Sequence, residues 1–193
     1  MAEGVQYRRG NLREALLDRA IAVLRERGAD ALSLRELARD VGVSHAAPAR
    51  HFADRGQLLD ALSVAGFAVL AERIRDAVAS DDEPGVRARR AADAYLDFAI
   101  GEAKLVEVMF RHEDGRDAEA IGRSATAAFA PIQDLFPHDE EGRAATVFLA
   151  TLQGIAGLVN CGVVPAESVP GLADDAIARF FAPGADDEQG GGR

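Results

Sequence analysis

The stretch "SLRELARDVGVSHAAPARHF", Ser33 to Phe52, decides how the chain is read. Its first half is a short amphipathic repeat. Leu34, Leu37, Ala38 and Val41 recur at i, i+3, i+4 and i+7, the spacing of one helical face. Ser33 and Glu36 form S-x-x-E, in which each side chain satisfies a backbone N–H at a helix start. Gly42 leaves room for only two turns and supplies a backbone conformation that a Cβ resists. Ser44 is then placed to cap a second short helix, expected from His45 to about His51. That segment carries two His and one Arg in a chain of net charge −10. Two short helices joined by "VGVS" spell helix-turn-helix, although an ordinary helical hairpin in a core has the same local pattern. In the first case the second helix is free to enter a DNA major groove, N-terminal residues first.

The flanking sequence is helical on both sides. "NLREALLDRAIAVLRERGAD" places Leu12, Ala15, Leu16, Ala20, Val23 and Leu24 on one face, with Gly28 as the stop. A long helix begins at Asp54, with Gln57 three residues on, and runs to the break "SDDEPG". "VRARRAADAYLDFAIGEAKLVEVMF" is helical with a bend expected near Gly101. "AEAIGRSATAAFAPIQDLF" is helical with a kink expected at Pro131. A long apolar helix follows over 141–163, then a last amphipathic helix over 171–182. No period-2 segment competes, so the chain reads as all-α with about nine helices. The expected division is a three-helix head over 1–55, a larger helical body over 56–183 and a disordered low-complexity tail over 184–193.

Composition narrows the function. The 193 residues are 48% hydrophobic, enough for a sizeable core. Residues 1–55 hold ten Arg against eight acids, whereas the remainder holds twelve basic residues against twenty-four acids. A slightly basic head on an acidic body can still bind a polyanion, because the local field governs the contact. The lone Cys161 excludes an intramolecular disulfide framework and a cysteine zinc site. Neither a metal nor a cofactor is expected. No leader-like segment opens the chain, so a cytoplasmic location is expected. The apolar run Ala144–Val164 contains Gln153 and Asn160 and has acids on both flanks, which argues against a membrane span. G-x-S-x-G, P-loop and dinucleotide fingerprints are all missing, so no enzyme is expected. His112, Glu113, Asp114 and Asp117 stand close in sequence, a pattern more often a solvated loop than a metal site.

Over residues 10–62 the chain resembles the TetR family of transcriptional regulators, most specifically in "LSLRELARDVGVSHAAPARHFADRGQLLDAL". Pro48-Ala49 replaces the family's usual Leu-Tyr pair. Further on, "LQGIAGL" looks like a subgroup with a Trp-x-x-x-His-Gly motif, but Leu149 and Gln153 stand for its Trp and His. The resemblance implies a homodimer on a palindromic double-stranded DNA operator, with helices 141–163 and 171–182 forming the dimer interface. An internal core helix is the other reading of 141–163. His45, Ala46 and Ala47 are assigned to base edges, and Ser44, His51 and Arg55 to phosphates. Arg35 and Arg50 are assigned to either, and Arg8 and Arg9 to a minor-groove arm or the free surface. For an effector pocket, apolar residues with sparse polar anchors are needed. Phe67, Tyr95, Phe98, Leu105, Met109, Phe110 and Phe129, with Thr151, Gln153 and Asn160, supply that mixture, which equally fills a core. The expected function is a repressor released by a small, largely apolar effector. The alternative is a helical small-molecule-binding or interaction protein with a degenerate head.

Overall fold

Why the chain folds as it does is visible in a computed structural model, which describes residues 12–111, 117–137, 139 and 141–181. Arg8, Arg9, the 112–116 part of the acidic loop and the 184–193 tail lie outside the described residues. Eight α-helices and three short 3-10 turns are present, with no strand among the described residues. The chain divides into two compact units. One comprises Met1–Val69 with Glu102–Thr126; the other comprises Leu70–Gly101 with Ala127–Arg193.

In the first unit, α1 (Leu12–Arg27) buries Ala15, Leu16, Leu17, Ala20, Val23 and Leu24; periodicity named five of these, with the half-buried Leu12 in place of Leu17. It stops where Gly28 takes φ 82°, and a 3-10 turn at Ala29–Ala31 leads on. Next, α2 (Leu34–Asp40) buries Leu37 and Ala38. Ser33 occupies the N-cap position, but its side chain makes no capping bond. Glu36 faces Arg27 instead, at 4.0 Å. The reciprocal cap appears one element later. Asp54 Oδ1 accepts from the Gln57 N–H at 2.9 Å, and Gln57 Oε1 accepts from the Ala53 N–H at 2.8 Å. These bonds open α3 (Arg55–Val78), whose 24 residues cross from the first unit into the second.

The predicted bend at Gly101 is a full break between α4 (Pro84–Gly101) and α5 (Ala103–Met109). Glu102 sits between them with φ −116° and ψ 36°. Its carboxylate takes a bidentate pair from Arg25 at 2.6 and 2.8 Å, within the first unit. Lys104 Nζ donates to the Arg25 and Glu26 carbonyls at 3.1 and 3.2 Å, capping the end of α1. The opposite side of α5 meets α3. There the Ser63 hydroxyl lies 3.2 Å from the Val108 carbonyl and 3.1 Å from that of Leu59. Gly66 lets the helices come close: a Cβ there would stand 2.6 Å from Met109 Sδ.

The second unit packs α4 against α7 (Arg143–Asn160) and α8 (Val169–Phe181). Phe136, Phe148, Phe180 and Phe181 form an aromatic cluster, with the Phe136 and Phe181 centroids 4.9 Å apart. Asp139 caps α7, accepting from the Arg143 and Ala145 N–H groups. The remaining helix, α6 (Ala118–Gln133), carries Pro131 in its last turn, where little helix remains to be disrupted. No helix among the described residues is long and apolar enough to cross a membrane.

Enlarging Gly66 should force α3 and α5 apart. Gly66→Leu is expected to cost about 1–3 kcal/mol, read as a lower midpoint in thermal unfolding. Adding Met109→Ala should recover part of that loss.

Candidate DNA-reading head

Polar closure of α2 creates the surface that follows it. Gly42 takes φ 75°, and the Val43 N–H reaches back to the Ala38 carbonyl at 2.9 Å. The Gly42 N–H meets the Arg39 carbonyl at 3.1 Å, completing a Schellman turn. Ala38 is fully buried, so α2 approaches its neighbours without a side chain in the way. Phe52 is 1% exposed, and the Arg13 guanidinium lies 5.4 Å from its ring centroid. The segment between these anchors is held at both ends.

That segment is not the continuous α-helix expected over His45–His51. It is a turn followed by a 3-10 helix at Pro48–Arg50. Pro48 explains the difference. It has no N–H for the Ser44 carbonyl, and its ring crowds that carbonyl. Ser44 O accepts from the Ala47 N–H at 2.9 Å instead, an i→i−3 bond. Normal i→i−4 pairing resumes only beyond the ring, where Phe52 N–H meets the Pro48 carbonyl at 2.9 Å. Ser44 therefore caps no α-helix. The expected count of about nine helices falls to eight α-helices among the described residues.

The side chains sort clearly. Ser44, His45, Ala46, Ala49, Arg50 and His51 are exposed, Ala47 is half-buried, and Pro48 is buried. Most nearby arginines are engaged in ion pairs. Arg19 donates to Asp40 at 3.0 Å, Arg39 lies 3.6 Å from the same carboxylate, and Arg25 is held by Glu102. The Glu102 hydrogen bond raises the Arg25 pKa, so this guanidinium stays charged. Arg35 and Arg50 differ: neither side chain has a hydrogen-bond or ion-pair partner among the described residues. Arg55 belongs with the engaged group. Its guanidinium donates to the Ala29 carbonyl at 3.0 Å and lies 3.5 Å from Asp30. Sequence reasoning placed Arg55 on phosphate but missed this tie, because the partners are 26 residues apart.

The ten residues named for an effector fall into two groups. Phe67, Leu105, Met109 and Phe110 belong to the first unit, with Phe67 and Phe110 edge to face at 5.6 Å. Tyr95, Phe98, Phe129, Thr151, Gln153 and Asn160 belong to the second. There the Tyr95 hydroxyl bonds to Gln153 Oε1, and the Tyr95 and Phe129 centroids are 6.3 Å apart. Burial raises the Tyr95 pKa, so its phenol remains a neutral donor. Asn160 Nδ2 donates to the Ala99 carbonyl at 3.0 Å, and the Thr151 hydroxyl to the Val147 carbonyl at 2.9 Å. All three polar anchors thus have partners in their own chain. Among the described residues no His, Cys, Asp and Glu cluster is arranged to hold a metal.

A helix-turn-helix head on a helical body defines a DNA-binding regulator by class. Residues 16–62 match the model for bacterial regulatory proteins of the tetR family. A solved protein of unknown function from Rhodococcus sp. RHA1 is 34% identical, with a TM-score of 0.79, covering 91% of this chain and 96% of its own. The TetR-like regulator LfrR from Mycobacterium smegmatis, solved with proflavine, is 19% identical, with a TM-score of 0.61 and coverage of 88% and 94%. AibR, solved with isovaleryl coenzyme A and operator DNA, is 17% identical, with a TM-score of 0.65 and coverage of 89% and 99%. No curated protein matches the chain. Residues 16–62 thus carry the head of the TetR family of bacterial regulatory proteins, on the fold of solved TetR-like transcriptional regulators.

Two substitutions test the head. Pro48→Ala restores a donor for the Ser44 carbonyl and should increase the far-ultraviolet helical signal of the folded protein. Arg55→Ala should lower the unfolding free energy by about 1–2 kcal/mol, because it removes the tie to Ala29.

Proposed function

We propose that the protein is a cytoplasmic repressor whose affinity for a palindromic operator is lowered by a small, largely apolar effector. The observation that carries this reading is the exposed segment Ser44–His51 beside two unengaged arginines. His45, Ala46 and Ala47 read base edges. Ala methyl groups suit the thymine C5-methyl, and His45 serves as a hydrogen-bonding group. Ser44 and His51 hold phosphates, while Arg35 and Arg50 reach either phosphate or guanine. Arg55 contributes to phosphate binding only as far as its tie to Ala29 leaves N–H groups free.

Reading is assigned to residues 1–55, and effector binding with dimerisation to 56–183. This functional division differs from the compact units because α5 is fastened to α1. Phe67, Tyr95, Phe98, Leu105, Met109, Phe110 and Phe129 supply the effector's apolar surroundings, with Thr151, Gln153 and Asn160 as polar anchors. Relatives solved with proflavine and with isovaleryl coenzyme A support a ligand-responsive body. The coupling is reciprocal: an effector that favours the non-reading arrangement weakens DNA binding by the same factor that DNA weakens effector binding.

A homodimer through α7 and α8 matches a two-fold operator. Val147, Ala150, Gly154, Gly157 and Leu158 are exposed on α7. A Cβ at Gly154 or Gly157 would meet nothing in its own chain within 4 Å. Small residues that the protomer does not need leave room for a second helix to approach.

The decisive experiment is a salt-dependent titration with DNA upstream of the protein's own gene, unrelated DNA and a selected pool of random sites. Sequence preference in the first or third, lost on adding a ligand, supports the repressor reading. Weak, uniform binding to all three favours the alternative, a ligand-binding protein whose Pro48-Ala49 head no longer reads DNA. Arg50→Ala should flatten the salt slope by about one phosphate, whereas changes at Ala47 should alter sequence preference. Gly154→Arg should give a folded monomer by light scattering and weaken operator binding.

A further inference from the structure

A groove of about 590 Å³ opens in the second unit between the C-terminal half of α4 and the start of α8. Its size falls within the about 300–1,000 Å³ of small-molecule sites. Residues one helical turn apart build its α4 wall: Asp93 with Asp97, and Leu96 with Ile100. Val169 and Pro170 form the facing wall, so most of the exposed lining is apolar. None of the residues named for the effector lines this groove.

Its charge has one sign. No basic side chain lines it. Asp93 is occupied, because Arg89 Nε donates to its two oxygens at 3.0 and 3.1 Å. The same Arg89 also pairs with Asp174. Asp97 is exposed and has no hydrogen-bond or ion-pair partner among the described residues. The helix ends add opposing fields. The α4 C-terminus at Gly101 favours a cation and the α8 N-terminus an anion. The second field is the weaker, since Pro170 has no N–H and the Val169 N–H is taken by the Ala166 carbonyl.

We propose that this groove binds a small organic monocation with an apolar body, the cation on Asp97 and the body against Leu96, Ile100, Val169 and Pro170. The shape selects the apolar part, and the unpaired carboxylate selects the charge. A metal ion is poorly served there, because Asp93 is already held and the remaining walls offer few oxygens. The site is independent of the operator reading and does not require the chain to be a repressor.

The test uses the full chain and two probes of nearly equal shape, 1-naphthylmethylammonium and 1-naphthalenemethanol, by calorimetric titration. The ammonium should bind about tenfold more tightly than the alcohol. Asp97→Asn should abolish that preference. Ala166→Trp, on the exposed rim, should block both probes. Thermal unfolding of each variant verifies the fold. Equal affinity for the two probes overturns the proposal. So does a charge preference that persists in folded Asp97→Asn or Ala166→Trp protein, because the cation then binds elsewhere.

Discussion

The hydrogen bond from the Val43 N–H to the Ala38 carbonyl governs the architecture of the head. It closes α2 at its seventh residue and sets the direction of everything up to Phe52. Its geometry requires positive φ at Gly42, where a Cβ costs about 1–2 kcal/mol. The same closure recurs at the end of α7. There Gly162 takes φ 75° and the Val163 N–H meets the Leu158 carbonyl at 3.0 Å. In both places a glycine ends the helix and a following valine locks the exit. Phe52 and the Asp54–Gln57 cap complete the frame of the head by fixing where α3 begins.

The arginines matter more for placement than for stability. Exposed ion pairs contribute only about 0–1 kcal/mol each. Arg19, Arg25, Arg39 and Arg55 nevertheless set which surfaces stay cationic, because their acids neutralise them locally. Charge that remains unbalanced around α2 and the 3-10 turn comes from Arg35 and Arg50. Arg35 and Arg50 thereby stay available as cations in a head of small net charge, while the rest of the chain is acidic.

How much was legible in the sequence depended on the range of the interactions. The buried face of α1, the two-turn length of α2 and the start of α3 are set by neighbours within a few residues, and they were read correctly. Ser33-x-x-Glu36 has the right letters, yet Glu36 faces Arg27 and the serine cap does not form. Pro48 falls inside the helix expected from His45 to about His51. With no α-helical turn established before it, the missing N–H instead selects 3-10 winding. The break after Gly101 looked like a bend because Arg25, the partner of Glu102 at the break, lies 77 residues away. The α4–α8 groove was invisible for the same reason: its walls are about seventy residues apart in the chain and share no local motif. For the effector residues, the sequence indicated composition but not their partners, such as Tyr95 with Gln153.

The proline that interrupts the exposed segment between Ser44 and His51 also stiffens it. Fixed φ at Pro48 removes conformations from the unfolded and free chain, so less entropy remains to be lost when the segment is ordered. Under the proposed operator reading, contact with DNA resembles the docking of a rigid key more than folding on a template. The thermodynamic mark of such docking is a heat-capacity change limited to the surface that is covered, without the larger contribution from coupled folding. A single pyrrolidine ring thus exchanges a regular helix for a preset shape.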